Sequence, residues 1–256
     1  MKKILTYLVI SLICFNCSED KDDNLTLGPS MVNVSFAFTH DWDGTLINSA
    51  NLQSEIVTNE HGEVISMTRL RYLISRFELI HENGDSYLFE GYKFTDLSDE
   101  STYSFVPINT IPLGNYTLKF IWGFNELDNV DGAYADLNSA SWNWPAMLGG
   151  GYHFLQFDGT YNVDTTAPAP FNYHNGTARV SDGVFEQNFA TISLSTPISI
   201  RDNAIIEVKM NIAEFFKNPN TWDLNVLDTP LMPNYNAQKM MQENVMTVFS
   251  IGNITQ

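Results

Sequence analysis

The sequence has little cysteine and little positive charge. Its two cysteines, Cys14 and Cys17, both lie near the N-terminus. The rest of the chain therefore has no disulfide, no cysteine nucleophile and no thiolate metal site. Lys and Arg total 13 against 30 Asp and Glu, which gives a net charge of -17. A field of this sign repels phosphate backbones, so we expect no nucleic-acid partner.

The N-terminus has the pattern of an export signal. Two lysines precede an apolar run over residues 4–15, which is too short to span a bilayer. The run leads to Cys17 in a sequence that resembles a loose bacterial lipobox, and the acidic segment after it resembles the tethers of Bacteroidetes surface lipoproteins. We predict a signal peptide over 1–16 and a tether over 17–30. A lipid on Cys17 would anchor the protein to the outer membrane, on its periplasmic or cell-surface side.

The remainder of the chain has the pattern of strands. Large apolar residues recur at every second position in residues 32–38, which is typical of a half-buried strand. Residues 71–81 and 87–94 are predicted strands, joined by a turn that contains Asn-Gly. Further strands are predicted over 116–124, 152–157, 189–194, 204–212 and 245–251, with short helices over 213–217 and 236–244. This indicates an all-β fold, a single antiparallel β-sandwich domain over 31–256 with few short helices.

Histidine is the metal-binding side chain to consider in a domain without thiolates. His40 directly follows the first strand, and His174 lies in a polar segment that we predict to be a loop. His61 and His81 lie beside turns and are predicted to be surface residues. His153 alternates with apolar residues and is predicted to be a packed strand residue.

Several motifs recur in a defined order along the chain. Trp142 and Trp144 precede a glycine run and a Gly-Tyr-x-Phe-Leu segment. Other motifs, including Val-x-Phe-x-Phe-x-His and Arg-Tyr-Leu-Ile-Ser, lie over 34–46, 71–79, 113–125 and 171–176. In this order they resemble the MbnP-like family of copper-binding proteins, which are associated with methanobactin operons.

This resemblance implies one copper ion bound through histidines, with His40 and His174 as the ligands. It also implies a nearby tryptophan that a partner di-haem peroxidase oxidises to kynurenine. The candidates are Trp142, Trp144 and Trp42, which lies two residues from His40. We therefore expect a protein that sequesters or transfers copper. We do not expect an enzyme, because no Ser-His-Asp, HExxH or phosphate-loop motif stands out.

Two other interpretations remain open at this point. If Trp42, Trp142, Trp144 and Tyr173 were exposed, they would form a stacking surface for a glycan or a protein partner. The acidic segment over 125–136 has oxygen ligands at short spacings, which would suit a structural calcium ion or form a solvated loop.

Overall fold

Nearly half of residues 30–256 form strands, and most of these strands belong to two main sheets. The computed structural model describes residues 30–256; Cys17, the signal segment and nearly all of the tether lie outside the described residues. No helix in the described part is both long and apolar enough to cross a membrane. The strands are β1 (Met31–Trp42), β2 (Thr45–Leu46), β3 (Ile56–Thr58), β4 (Val64–His81), β5 (Ser86–Asp96), β6 (Ser104–Phe105), β7 (Thr110–Pro112), β8 (Gly114–Trp122), β9 (Leu155–Tyr161), β10 (Ala169–Asn175), β11 (Ala178–Ser181), β12 (Val184–Glu186), β13 (Ala190–Ile200), β14 (Ala204–Asn211) and β15 (Phe249–Thr255). The α-helices are α1 (Ala135–Ser139) and α2 (Tyr235–Asn244), and short 3₁₀ helices cover Glu100–Thr102, Ala146–Leu148, Ile212–Phe216 and Val245–Thr247.

The prediction of an all-β, sandwich-like fold is confirmed. One sheet has the order β15-β14-β1-β2, with β6 and β7 also paired to β1. The other has the order β10-β9-β4-β8-β13, with β3 and β5 also paired to β4. One pairing departs from the antiparallel expectation, since β1 and β14 run parallel. These strands are far apart in sequence, so no hairpin forces them to be antiparallel.

Strand β1 shows how the sequence builds the core. Its buried residues fall at every second position, and they include Phe36, Phe38, His40 and Trp42. Successive strand side chains point to opposite faces, so this alternation directs one face of β1 at the other sheet. The Phe36 ring meets Phe77 of β4 across the sandwich, with ring centroids 5.1 Å apart.

Several element predictions differ from the structure. Strand β4 begins at Val64 and not at residue 71, and β13 continues to Ile200. The predicted loop around His174 is strand β10, in which Phe171 and Tyr173 are buried while Asn172 between them faces outward. The predicted strand over 152–157 is shifted, and β9 begins at Leu155. The C-terminal strand begins at Phe249, after a 3₁₀ turn.

Candidate metal centre

The seven-stranded sheet has a polar row on the face that points away from the core. Its register pairs Arg71 with Gln156, and Gln156 with His174. Directly paired residues point to the same face of a sheet. Tyr72 and Leu155, one position along, are fully buried in the core. His174 therefore lies on the outer face of this sheet.

Asp158 is the centre of the hydrogen bonds on this outer face. Its Oδ1 accepts from His174 Nε2 at 2.7 Å and from Asn172 Nδ2 at 2.6 Å, while its Oδ2 accepts from Arg69 Nε at 2.5 Å. Burial acts to raise the pKa of Asp158. The hydrogen bonds from His174 and Asn172, together with the charge of Arg69, outweigh burial and lower this pKa to about 2. The ionised carboxylate keeps a proton on Nε2 of His174.

The segment between α1 and β9 folds back over this face. The amide of Trp144 donates to Gly151 O and the amide of His153 donates to Trp142 O, each at 2.9 Å. Three consecutive glycines over 149–151 have positive φ and form the turn between the two arms. Side chains with a Cβ seldom adopt this backbone conformation. The turn places His153 between the two tryptophans.

Both indoles contact the His153 ring. The ring centroids are 5.5 Å apart for Trp142 and 4.9 Å apart for Trp144. The Arg71 guanidinium lies 5.4 Å from the Trp142 ring centroid, within range of a cation–π contact. Trp144 Nε1 donates to Leu148 O at 3.1 Å, whereas Trp142 Nε1 is buried without a hydrogen-bond partner among the described residues.

Helix α2 and a glycine fix the backbone after His174. Gln238 Nε2 donates to His174 O at 2.7 Å, and Gln238 Oε1 accepts from Gly176 N at 3.1 Å. A Cβ on Gly176 would lie 2.5 Å from Cδ2 of the Trp144 ring. The absence of a side chain at Gly176 therefore lets the indole pack against the end of β10.

His153 and His174 come together with their ring centroids 5.5 Å apart. His153 Nδ1 faces Trp142 O at 3.1 Å and His174 Nε2 faces Asp158. Since both partners are acceptors, each ring holds its proton on that nitrogen. Within residues 30–256, the His153 Nε2 and His174 Nδ1 atoms have no hydrogen-bond partner. Each ring thus offers one lone pair, with its other nitrogen anchored as in metal-binding histidines.

The separation of the two rings suits a shared metal ion. An ion about 2 Å from a ring nitrogen lies about 3 Å from the ring centroid, so two imidazoles on one ion have centroids within about 6 Å. The observed 5.5 Å falls within this limit. Burial lowers the pKa of His153 to about 3, with smaller contributions from His174, Arg71 and Arg69. His153 is therefore neutral, the form that binds a metal.

An apolar groove opens beside His174. Its volume is about 450 Å³, and its walls include the side chains of Met147, Leu148, Leu231 and Met232. His174 lies in the lining of this groove. The outer imidazole of the pair is thus reached from the surface, while His153 is buried behind it.

His40 has a different environment from His174. It is buried on the inner face of β1, and its Nε2 lies 2.9 Å from Tyr72 Oη. Tyr72 faces the sandwich interior, whereas His174 lies on the opposite face of the same sheet. The predicted ligand pair of His40 and His174 is therefore not brought together, because the seven-stranded sheet lies between the two rings.

The candidate tryptophans fall into two groups. Trp142 and Trp144 flank His153, but Trp42 packs against Phe216 at the end of β1, with its Nε1 donating to Thr58 O at 3.1 Å. All three side chains are buried, as is Tyr173. Buried rings are not available to stack on a glycan or on a partner surface, so the structure does not support that alternative.

Two carboxylates of the acidic segment over 125–136 have protein partners. Asp128 is bound by Arg76, with Nε to Oδ2 at 2.5 Å, and Asp136 Oδ1 accepts from Tyr92 Oη at 2.5 Å. The calcium site and the solvated loop both stay predictions for this segment.

His153 is the site residue that the sequence analysis missed. Its alternation with apolar residues correctly indicated burial, but it precedes β9 rather than lying within a strand. The signal that marks it is its place between a glycine turn and a strand, in the same motif as the two tryptophans.

Comparisons with known proteins agree with the fold described above. The structure is similar to MbnP from Methylosinus trichosporium, with a TM-score of 0.55 and 12% sequence identity over 87% of this chain and 99% of that chain. At this identity the similarity shows the fold alone. The comparison with curated proteins gave no match. The MbnP family model matches residues 31–241, which confirms the resemblance seen in the sequence and shows that the chain belongs to the MbnP family.

Proposed function

We propose that this protein binds one copper ion through His153 Nε2 and His174 Nδ1, and that it sequesters or transfers this ion. The observation that carries the proposal is the pairing of two imidazoles, each with one nitrogen anchored and the other without a partner. Neutral imidazole suits copper, whereas calcium and magnesium prefer oxygen ligands. We propose copper binding, and not a chemical reaction, as the function of this site.

The residues around the groove favour Cu(I) over Cu(II). Met147 and Met232 line the groove beside His174, and soft sulfur ligands select Cu(I). The charges do not separate the two ions, because the positive Arg69 and Arg71 are offset by Asp158 and by Asp96, which acts on Arg71.

Trp142 and Trp144 are the residues we propose for oxidation to kynurenine. Both contact the His153 ring, whereas Trp42 lies elsewhere in the fold. The unpartnered Nε1 of Trp142 makes this ring the first choice of the two. We propose that the di-haem peroxidase that the family resemblance implies catalyses this oxidation, with peroxide as the oxidant that is reduced to water.

We also propose an extracytoplasmic location, with an outer-membrane anchor on Cys17. Support comes from the sequence pattern of residues 1–30. Metabolic labelling with a fatty acid tests this proposal. The label should enter the wild-type protein and not a Cys17→Ala variant, and equal labelling of both would contradict a lipid on Cys17.

Copper titration in competition with a coloured Cu(I) chelator tests the binding site. We expect one tightly bound ion per wild-type chain and a large loss of affinity in His153→Ala and His174→Ala. His81→Gln is the matched control, because His81 is the last residue of β4, at the turn to β5 and ten residues along the strand from Arg71. Equal affinity in wild type and both site variants would overturn the assignment.

A further inference from the structure

A second cluster of metal-binding side chains lies outside the copper site. His61 and Glu63 belong to the turn between β3 and β4, and Asp223 follows Trp222 in a later loop. His61 Nδ1 lies 2.7 Å from Glu63 Oε1 and 3.5 Å from Asp223 Oδ1. One ligand atom from each of the three residues lies within 4.8 Å of the others. The sequence analysis had predicted His61 to be an ordinary surface residue.

One carboxylate oxygen of Glu63 has no hydrogen-bond partner within residues 30–256. Its side chain is only 3% exposed. Oε1 is contacted by His61 and accepts from Asn225 Nδ2 at 2.6 Å, but Oε2 is buried with no hydrogen-bond partner among the described residues. A buried carboxylate with an unpartnered oxygen is costly, and a cation bound to this carboxylate would reduce that cost by offsetting its charge.

Hydrogen bonds hold the two segments of the cluster in place. Asn59 Oδ1 accepts from the amides of Gly62 and Glu63, each at 2.9 Å, and Asn59 Nδ2 donates to Trp222 O at 3.4 Å. Asp223 Oδ1 in turn accepts from the Asn225 amide at 2.9 Å. The ligands are therefore largely positioned before any ion arrives, which lowers the ordering cost of binding.

We propose that His61, Glu63 and Asp223 form a binding site for a first-row divalent cation of the zinc class. Tetrahedral coordination with bonds of about 2 Å places neighbouring ligand atoms about 3.3 Å apart. The observed separations of 2.7 and 3.5 Å lie on either side of this value. One imidazole and two carboxylates are a ligand set that zinc accepts, and they leave a fourth position to water. The imidazole disfavours calcium and magnesium, which prefer oxygen ligands throughout.

Calorimetric titration of Zn²⁺ into the chelator-treated full chain tests the site. The His153→Ala/His174→Ala background removes the other imidazole pair, so that its zinc binding cannot be confused with this site. We expect one Zn²⁺ per chain and a higher unfolding temperature with Zn²⁺, but no change with Ca²⁺ or Mg²⁺. His61→Gln, Asp223→Asn and Glu63→Gln should each weaken binding by more than about tenfold.

Glu60→Gln is the matched control, because Glu60 is an exposed carboxylate in the same turn and outside the cluster. It should bind Zn²⁺ like the parent protein. His61 and Asp223 are partly exposed, so their variants test the site even if loss of buried Glu63 prevents folding. Absence of Zn²⁺ binding, or equal binding by the parent and by His61→Gln and Asp223→Asn, would overturn the proposal. Either result leaves the copper assignment unaffected.

Discussion

The Asp158→Asn variant removes the negative charge that holds His174 Nε2 and leaves His174 itself unchanged as a ligand. The wild-type carboxylate accepts from His174 Nε2 at 2.7 Å and is bound by Arg69 on its other oxygen. Asparagine has nearly the same shape and retains one acceptor oxygen, but it loses the negative charge. His174 remains in place with a less basic ring, while the guanidinium of Arg69 loses its counter-charge.

The expected effect is a loss of copper affinity of about 10- to 100-fold, as is typical when the hydrogen-bond partner of a metal-binding histidine is altered. This corresponds to about 1.4 to 2.8 kcal/mol of binding free energy. A second effect concerns acid stability. The pKa of Asp158 is about 2 in the folded protein against 3.8 for a free side chain, so its ionisation contributes about 2 kcal/mol above pH 4. This contribution is lost as the pH falls from about 4 to 2.

Two assays measure these effects. Chelator competition gives the copper affinity, and urea unfolding between pH 7 and pH 2 gives the stability. Asp164→Asn is the matched control, because it removes the same charge from an exposed position between β9 and β10. If Asp158→Asn bound copper as tightly as Asp164→Asn, the argument that Asp158 supports a ligand at His174 would be refuted.

Other variants test the packing of the site and the place of His40. Gly176→Ala puts a Cβ about 2.5 Å from the buried Trp144 ring, so urea unfolding should show a loss of about 1–3 kcal/mol; unchanged stability would contradict this close contact. Burial lowers the pKa of His40 to about 3. Between pH 6.5 and 3 the His40 side chain therefore binds a proton in the unfolded chain but not in the folded protein. The free energy of unfolding should fall as the pH drops below about 6.5. His40→Gln should reduce this pH dependence of unfolding and leave copper affinity unchanged. A large loss of copper affinity in His40→Gln would instead place His40 at the metal.

The strand pattern was predictable because it depends on local alternation. β5, β8 and β14 lie close to their predicted ranges, since apolar residues at every second position mark a half-buried strand. Strand β10 was missed although Phe171 and Tyr173 alternate with polar residues, because its Pro, Asn and His residues together have the composition of a loop. The short strands β2, β3, β6 and β7 lack a pattern of sufficient length and depend on pairing with β1 or β4.

The proposed metal centre was only partly predictable from sequence. His174, Trp142 and Trp144 were candidates from the sequence, but the imidazole that lies beside His174 in the structure is that of His153 and not that of His40. The alternation in β1 places His40 on the same face as buried Phe36 and Phe38, which already directs it into the core. The meeting of His153 with His174 depends on how a glycine turn folds one segment over another strand. Such long-range contact has no local sequence signal.

The most direct test of the copper site is a crystal structure of the copper-loaded full chain, with the anomalous scattering of copper used to locate the ion. We expect one strong peak about 2 Å from both His153 Nε2 and His174 Nδ1. A peak beside His40, with none between His153 and His174, would contradict it.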